Sequence, residues 1–141
     1  YRHQASLKGV GCDCLGLVRG VWRALYGTEP EMMPAYTPDW AEACGEETLA
    51  AAAGRHMTAI AIDAAGPGDA LLFRWRANLP AKHAGIIVFS SLSDLRSSSP
   101  LVSASGVGTR FIHAHQGAAV AMATLSPWWR RRTAFAFRFP E

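Results

Sequence analysis

The run Gly11-Cys12-Asp13-Cys14-Leu15-Gly16-Leu17-Val18-Arg19-Gly20-Val21-Trp22-Arg23-Ala24-Leu25-Tyr26-Gly27 reads as one short helix with a cysteine in its first turn. Leu17, Val18, Val21, Trp22 and Leu25 recur at intervals of three and four, so one face is apolar and must be buried, while Arg19 and Arg23 fall on the other side. Asp13 is placed to cap the N-terminus and Gly27 to end the helix at its C′ position. Cys14 then lies where free backbone N–H groups and the positive end of the helix dipole favour a thiolate, the form of cysteine that attacks carbonyl carbon. That makes Cys14 a candidate nucleophile, with a thiol expected to titrate below the free value. Gly16 and Gly20 each cost about 1 kcal/mol relative to alanine inside a helix, which predicts another element close against the helix backbone. Packing alone is the competing account of Cys14, since free cysteines are among the most buried residue types. The rest of the chain has to supply a base.

A chain of 141 residues with 50% hydrophobic content is enough for one domain with a real core, spanning 1–141, and too short for two comfortable ones. No run of eighteen apolar residues occurs, so no membrane span is expected. The alanine-rich segment Thr48–Ala53 is short and is broken by Gly54. The opening residues from Tyr1 have no methionine and lack the apolar core of a signal peptide, which leaves export undecided. Three cysteines, Cys12, Cys14 and Cys44, leave at least one unpaired, and Cys12 lies too near Cys14 in sequence for an easy bridge. This excludes a disulfide scaffold. A formal charge of +3, from 14 basic and 11 acidic residues, is a mild excess that suits nucleic acid or an anionic cell wall without demanding either.

Along the chain, Tyr1–Gly11 reads as an extended lead-in followed by a loop. Pro30, Pro34 and Pro38 forbid a long helix over Gly27–Trp40 and indicate a wrapping loop. Asp39–Gly54 carries strong helix formers and is expected to be a second helix. Met57–Ile62 is a short strand or extended segment, and Ala65-Gly66-Pro67-Gly68-Asp69 is a turn. Short apolar runs then predict strands at Ala70–Arg74 and Ala84–Phe89. Serine-rich Ser90–Gly108 is a long connection with a weak strand at Leu101–Ser103. Further strands follow at Phe111–His115, Val120–Leu125 and Ala134–Phe139, the last with Phe135, Phe137 and Phe139 on one face. Helices first and antiparallel strands after describe an α+β domain, with N-terminal helices packed on a sheet of about five strands.

Of the five histidines, His83 stands directly before Ala84-Gly85-Ile86-Ile87-Val88, and His113 and His115 lie two apart in one strand and so share a face. His3 and His56 default to solvent. A cysteine at a helix start, with histidines on adjacent antiparallel strands, is what papain-like chemistry requires of a nucleophile, a base and a residue that orients the base.

Asp13-Cys14-Leu15-Gly16-Leu17-Val18 resembles the Asp-Cys-Ser-Gly-Phe-Val nucleophile motif of the NlpC-type cell-wall peptidases, with Leu15 in place of serine. In the family's order, Gly66-Pro67-Gly68-Asp69-Ala70-Leu71-Leu72-Phe73 resembles its Pro-Gly-Asp-Leu strand. Lys82-His83-Ala84-Gly85-Ile86 resembles the strand that carries the base, and Phe111-Ile112-His113-Ala114 the strand that carries the third polar residue. Tyr1-Arg2 fits the segment whose tyrosine approaches the nucleophile. The resemblance implies a papain-like fold and a cysteine peptidase, with Cys14, His83 and His113 as catalytic residues. It implies Tyr1 and Asp13 at the substrate or oxyanion, with His115 as a substitute for His113. No cofactor and no metal are expected. The substrate implied is the peptidoglycan stem peptide, cut between D-glutamate and the diamino acid. The ending from Trp128-Trp129-Arg130-Arg131-Arg132 to Phe139-Pro140 is similar to the version in phage tails and gene transfer particles, which implies other tail or particle proteins as partners and action in the periplasm. The sequence departs from the pattern at Leu15, in the long stretch between His83 and His113, and in the extra thiol of Cys12.

Two readings of other classes compete. Cys12, Cys14, His113 and His115 could supply four zinc ligands to a structural module, although a single residue between the cysteines constrains tetrahedral geometry. The Trp128-to-Arg132 segment interleaves stacking surface with positive charge, as single-strand nucleic-acid binders do. Its competing account is a turn whose tryptophans cap the core, and no nucleic-acid partner is expected.

Overall fold

The computed structural model of the protein describes residues 1–33, 35, 45–89 and 108–141. Pro34, Pro38, Cys44, the strand expected at Leu101–Ser103 and the first part of the helix expected from Asp39 lie outside those residues. The lead-in is a small antiparallel hairpin, β1 (Ser6–Leu7) with β2 (Gly11–Cys12), where a loop was expected. Helix α1 follows at Cys14–Tyr26 and α2 at Thr48–His56. Then come β3 (Thr58–Ile60), a 3₁₀ turn at Ile62–Ala64, β4 (Ala70–Phe73), β5 (His83–Phe89), β6 (Arg110–Ala114) and β7 (Val120–Thr124). A short α3 (Pro127–Arg132) leads directly into β8 (Thr133–Arg138).

The main sheet has six antiparallel strands in the order β3-β8-β4-β5-β6-β7. The expected five becomes six because Thr58–Ile60 pairs with the end of β8, Ala59 opposite Phe137. The helices are not all N-terminal either. Ser126 accepts from Trp129 N, and Pro127 starts the helix with φ already set, so the Trp-Trp-Arg-Arg-Arg segment is α3.

The helix α1 is bounded as its sequence dictates. Asp13 Oδ1 accepts from Gly16 N at 2.7 Å, and Gly27, at φ +87°, returns its N–H to Arg23 O. A Cβ on Gly16 would meet Ala5 O at 1.8 Å, so this glycine is what lets the chain ahead of β1 lie on the helix backbone. At Gly20 the same atom would make only ordinary contacts, the nearest 3.7 Å away at Ser6 Oγ. The predicted close approach is therefore made at one glycine of the two.

Strand alternation divides the core into two. Ala70 and Leu72 of β4, Ala84 of β5 and Phe137 of β8 face α1 and α2, and pack with Leu49, Ala50, Met57, Val18 and Trp22. Leu71, Phe73, Ile87, Phe111 and Ala136 face the other way and pack with Leu125 and Trp129. Phe73 and Phe111 have no solvent exposure, and burying each contributes about 1.5–3 kcal/mol. Asp69, buried at the end of the turn before β4, accepts from Gly66 N and from Nε and Nη2 of Arg138 at 2.9 and 2.7 Å, which ties that turn to the end of β8.

Candidate active site

Cys14 opens α1 and comes to rest against the first residues of β5. Its thiol donates to Lys82 O at 3.8 Å, and the N–H of Ala84 points at the same sulfur. Those two residues flank His83. Burial pushes the Cys14 thiol up to about 11, against the opposing pull of the N–H groups of Ala84, Leu15 and Cys14 itself. The Asp13 carboxylate, one residue away, adds to the rise. This corrects the expectation of a thiol that titrates below the free value: desolvation of the anion outweighs the helix terminus that was expected to stabilise it.

His83 and His113 leave the opposite face of the sheet to Ala84, on neighbouring strands. Both are buried, 5% and 8% exposed, and His83 Nε2 lies 2.9 Å from His113 Nδ1. One nitrogen donates and the other accepts, so each ring satisfies a polar atom of the other, which is the condition for burying two imidazoles. Burial first, then the charges of His113 and His115, push His83 down to about 3; burial and then His115 lower His113. Both rings are neutral near pH 7. Since Nε2 of His83 is used by His113, Nδ1 is the nitrogen of His83 left for a proton from outside the pair.

His115 is exposed, and its Nδ1 lies 3.0 Å from Gln116 O. Its ring centroid is 6.0 Å from that of His83, close enough to influence the charge there but not to replace His113 in the hydrogen bond. Asp13 is 2% exposed, with its second oxygen accepting from Gln4 N at 2.7 Å, so its carboxylate holds both the helix start and the lead-in chain. Tyr1 lies near enough to Asp13 and Cys14 that their charges, after burial, raise its phenol. A Cβ on Gly85 would meet the Phe111 ring at 2.6 Å and Ile112 O at 2.9 Å, so its missing side chain makes room for β6.

Sequence reasoning missed three residues that set this site. Glu47, just ahead of α2, accepts from Arg74 Nη2 at 3.1 Å and from Ala81 N at 3.0 Å, and so pins the chain between β4 and β5 immediately before His83. Trp75 lies two residues past Phe73, which pairs with His83, and its indole stacks on the His83 ring. Extending the alternation of β4 by two positions would have placed it there. Trp129 also faces inward, with its ring 5.7 Å from His83 and 5.2 Å from His113. Only its neighbour Trp128 is exposed, stacked under the Arg132 guanidinium at 3.7 Å.

Among the described residues no group of three or more His, Cys, Asp or Glu side chains is arranged to hold a metal ion, so Cys12, Cys14, His113 and His115 do not converge as a zinc site would need. Among them, too, no helix is long and apolar enough to cross a membrane.

No protein-family model and no curated protein matches the chain. Among solved structures it is similar to the crystal structure of a protein described as similar to lipoprotein, of the NLP/P60 family, from Staphylococcus aureus, with a TM-score of 0.56 and 17% identity. The match covers 100% of this chain and 36% of that one. The chain thus has an NLP/P60-like fold.

Proposed function

We propose that this chain is a cysteine peptidase domain that hydrolyses stem-peptide bonds of peptidoglycan, with Cys14 as nucleophile, His83 as base and His113 as the residue that orients the base. The observation that carries the reading is that a helix-start thiol rests on the backbone of Lys82 and Ala84, the two chain neighbours of His83, which is itself half of a buried, hydrogen-bonded histidine pair. The NLP/P60-like fold supports it.

The chemistry follows from the protonation states. Thiol and imidazole are both neutral at rest, so the thiol proton must pass to His83 Nδ1 as Sγ attacks the carbonyl carbon. His83 can accept there only with its own proton on Nε2, donated to His113 Nδ1, which requires His113 to carry its proton on Nε2. The His83 cation then gives the Nδ1 proton to the leaving amine, the C–N bond breaks, and a thioester to Cys14 remains. Water, deprotonated by His83, cleaves the thioester and restores the thiol. Tyr1 stands beside the substrate or its oxyanion, and Asp13 serves the same site by fixing the start of α1. The finer reading is cleavage between D-glutamate and the diamino acid by a phage-tail or gene-transfer-particle component acting in the periplasm with other particle proteins.

Mass spectrometry of purified peptidoglycan after digestion tests this. New amino termini on the diamino acid, produced by the native protein and not by Cys14→Ala, are expected. Intact stem peptides with both proteins would overturn the reading.

A further inference from the structure

The structure assigns Trp75 the part of a positioning residue: its indole lies over the His83 imidazole, fixes the plane of that ring and keeps water from it. This rests on the reading of His83 as the base. The ring centroids are 5.3 Å apart with the planes inclined by 29°, whereas His113 and His115 meet the His83 ring edge-on, at 85° and 72°. A histidine ring turns in a broad, roughly two-fold well about its second side-chain torsion. The bond to His113 holds Nε2 but leaves the ring free to rock about that contact. A planar partner stacked on its face removes that freedom and directs Nδ1.

Trp129 also lies nearly parallel to His83, at 26°, but the two tryptophans differ in what else they do. Trp129 belongs to the apolar cluster with Phe73, Phe111 and Leu125 and serves the core. Among the described residues Trp75 belongs to neither core cluster, and its ring contacts there are His83, His115, Trp128 and Trp129. Its backbone is nonetheless held firmly. Arg74 N donates to Arg132 O at 2.9 Å, and the Arg74 guanidinium reaches Leu79 O and Glu47. A half-buried aromatic side chain on an anchored backbone, spent on a histidine rather than on the core, fits a ring that orients.

Two variants of the full chain test it, Trp75→Leu, which keeps apolar bulk, and Trp75→Phe, which keeps a flat ring. The His83 ring protons, assigned by NMR, are expected to move downfield in Trp75→Leu as the indole ring current is lost, and to move less in Trp75→Phe. With a soluble stem peptide, Trp75→Leu is expected to lower kcat about tenfold with KM nearly unchanged, and Trp75→Phe to recover most of it, because orientation of the base acts on the transition state. Unmoved His83 resonances in Trp75→Leu, or equal losses of kcat in both variants, would overturn the assignment. A native protein that cuts nothing would overturn the peptidase reading instead, while the resonance shift would still support the hold of Trp75 on the ring.

Discussion

The two faces of the six-stranded sheet carry the same kind of strand and do different work. Toward α1 and α2 the cluster is aliphatic and aromatic throughout, and its task is to seat a helix so that its first turn stops at the backbone of Lys82 and Ala84. Toward α3 the cluster admits two buried imidazoles among Phe73, Phe111 and Trp129, and it can do so because each imidazole answers the other's hydrogen-bonding need. The difference teaches where the chemistry is assembled. The Cys14 thiol arrives on one face and the His83 imidazole leaves from the other, and what joins them is the backbone of Lys82 and Ala84 on either side of His83.

The largest expected effect separates the faces outright. Cys14→Ala should lower hydrolysis by about a thousandfold or more while far-ultraviolet circular dichroism stays native, and His83→Ala should cost nearly as much, because residues acting as one unit are not additive. Cys12→Ser should stay within about twofold on the same scale; an inactive Cys12→Ser beside an active Cys14→Ala would put the nucleophile on the hairpin instead. His113→Ala should lose about a hundredfold, and His113→Gln, which can still accept from His83 Nε2, about tenfold, as expected of an orienting partner. Equal losses for the two would mean that His113 does more than orient.

Acid should act on the histidine face first. Both histidines titrate below the ordinary value of about 6.5. The unfolded chain therefore binds more protons as pH drops below that value, and stability present above it is lost progressively toward the His83 value of about 3. Protonated His113 donates from Nδ1, which forces His83 to accept at Nε2 and keep its proton on Nδ1, so it no longer serves as a base. The acid limb of kcat/KM should consequently lie below pH 6.5, and urea midpoints at pH 7, 5 and 4 should fall in that order. A limb centred at or above 6.5 would contradict the buried pair.

On the helix face, Gly16→Ala should cost about 2–3 kcal/mol in urea unfolding, because its Cβ meets backbone rather than a movable side chain. Gly20→Ala should be neutral or gain up to about 1 kcal/mol from helix propensity. The smallest effect is at His115, where alanine should leave kcat/KM within about threefold, since its ring stands outside the hydrogen-bonded pair.

What the sequence made legible was local. The span of α1, its Asp13 cap, its Gly27 stop and, among the described residues, the strands from Ala70 onward follow from periodicity and turn chemistry, and the structure moves their bounds by a residue or so. The three-residue β3 could not be separated from an extended segment, because a strand so short is defined by its partner in β8. The burial of Cys14 was hidden for a related reason: a helix terminus is visible in sequence, but the strand residues that close over it are not. Choosing between His113 and His115 needed ring positions, since strand alternation puts both on one face. Glu47 and Trp75 act on His83 from 36 and 8 positions away in the chain, through contacts that no local pattern announces.

The place of β8 bears on how the chain is made. It is the last strand in sequence but lies inside the sheet, between β3 and β4, and β3 has no other partner among the described strands. During synthesis the ribosome must deliver residues 133–138 before the first half of the sheet can close, so a nascent chain holds its β4 edge open until then. Until β8 is in place, β4, the strand that pairs with β5 opposite His83, keeps its other edge unpaired, so the support of His83 is finished only by residues fifty positions further along the chain.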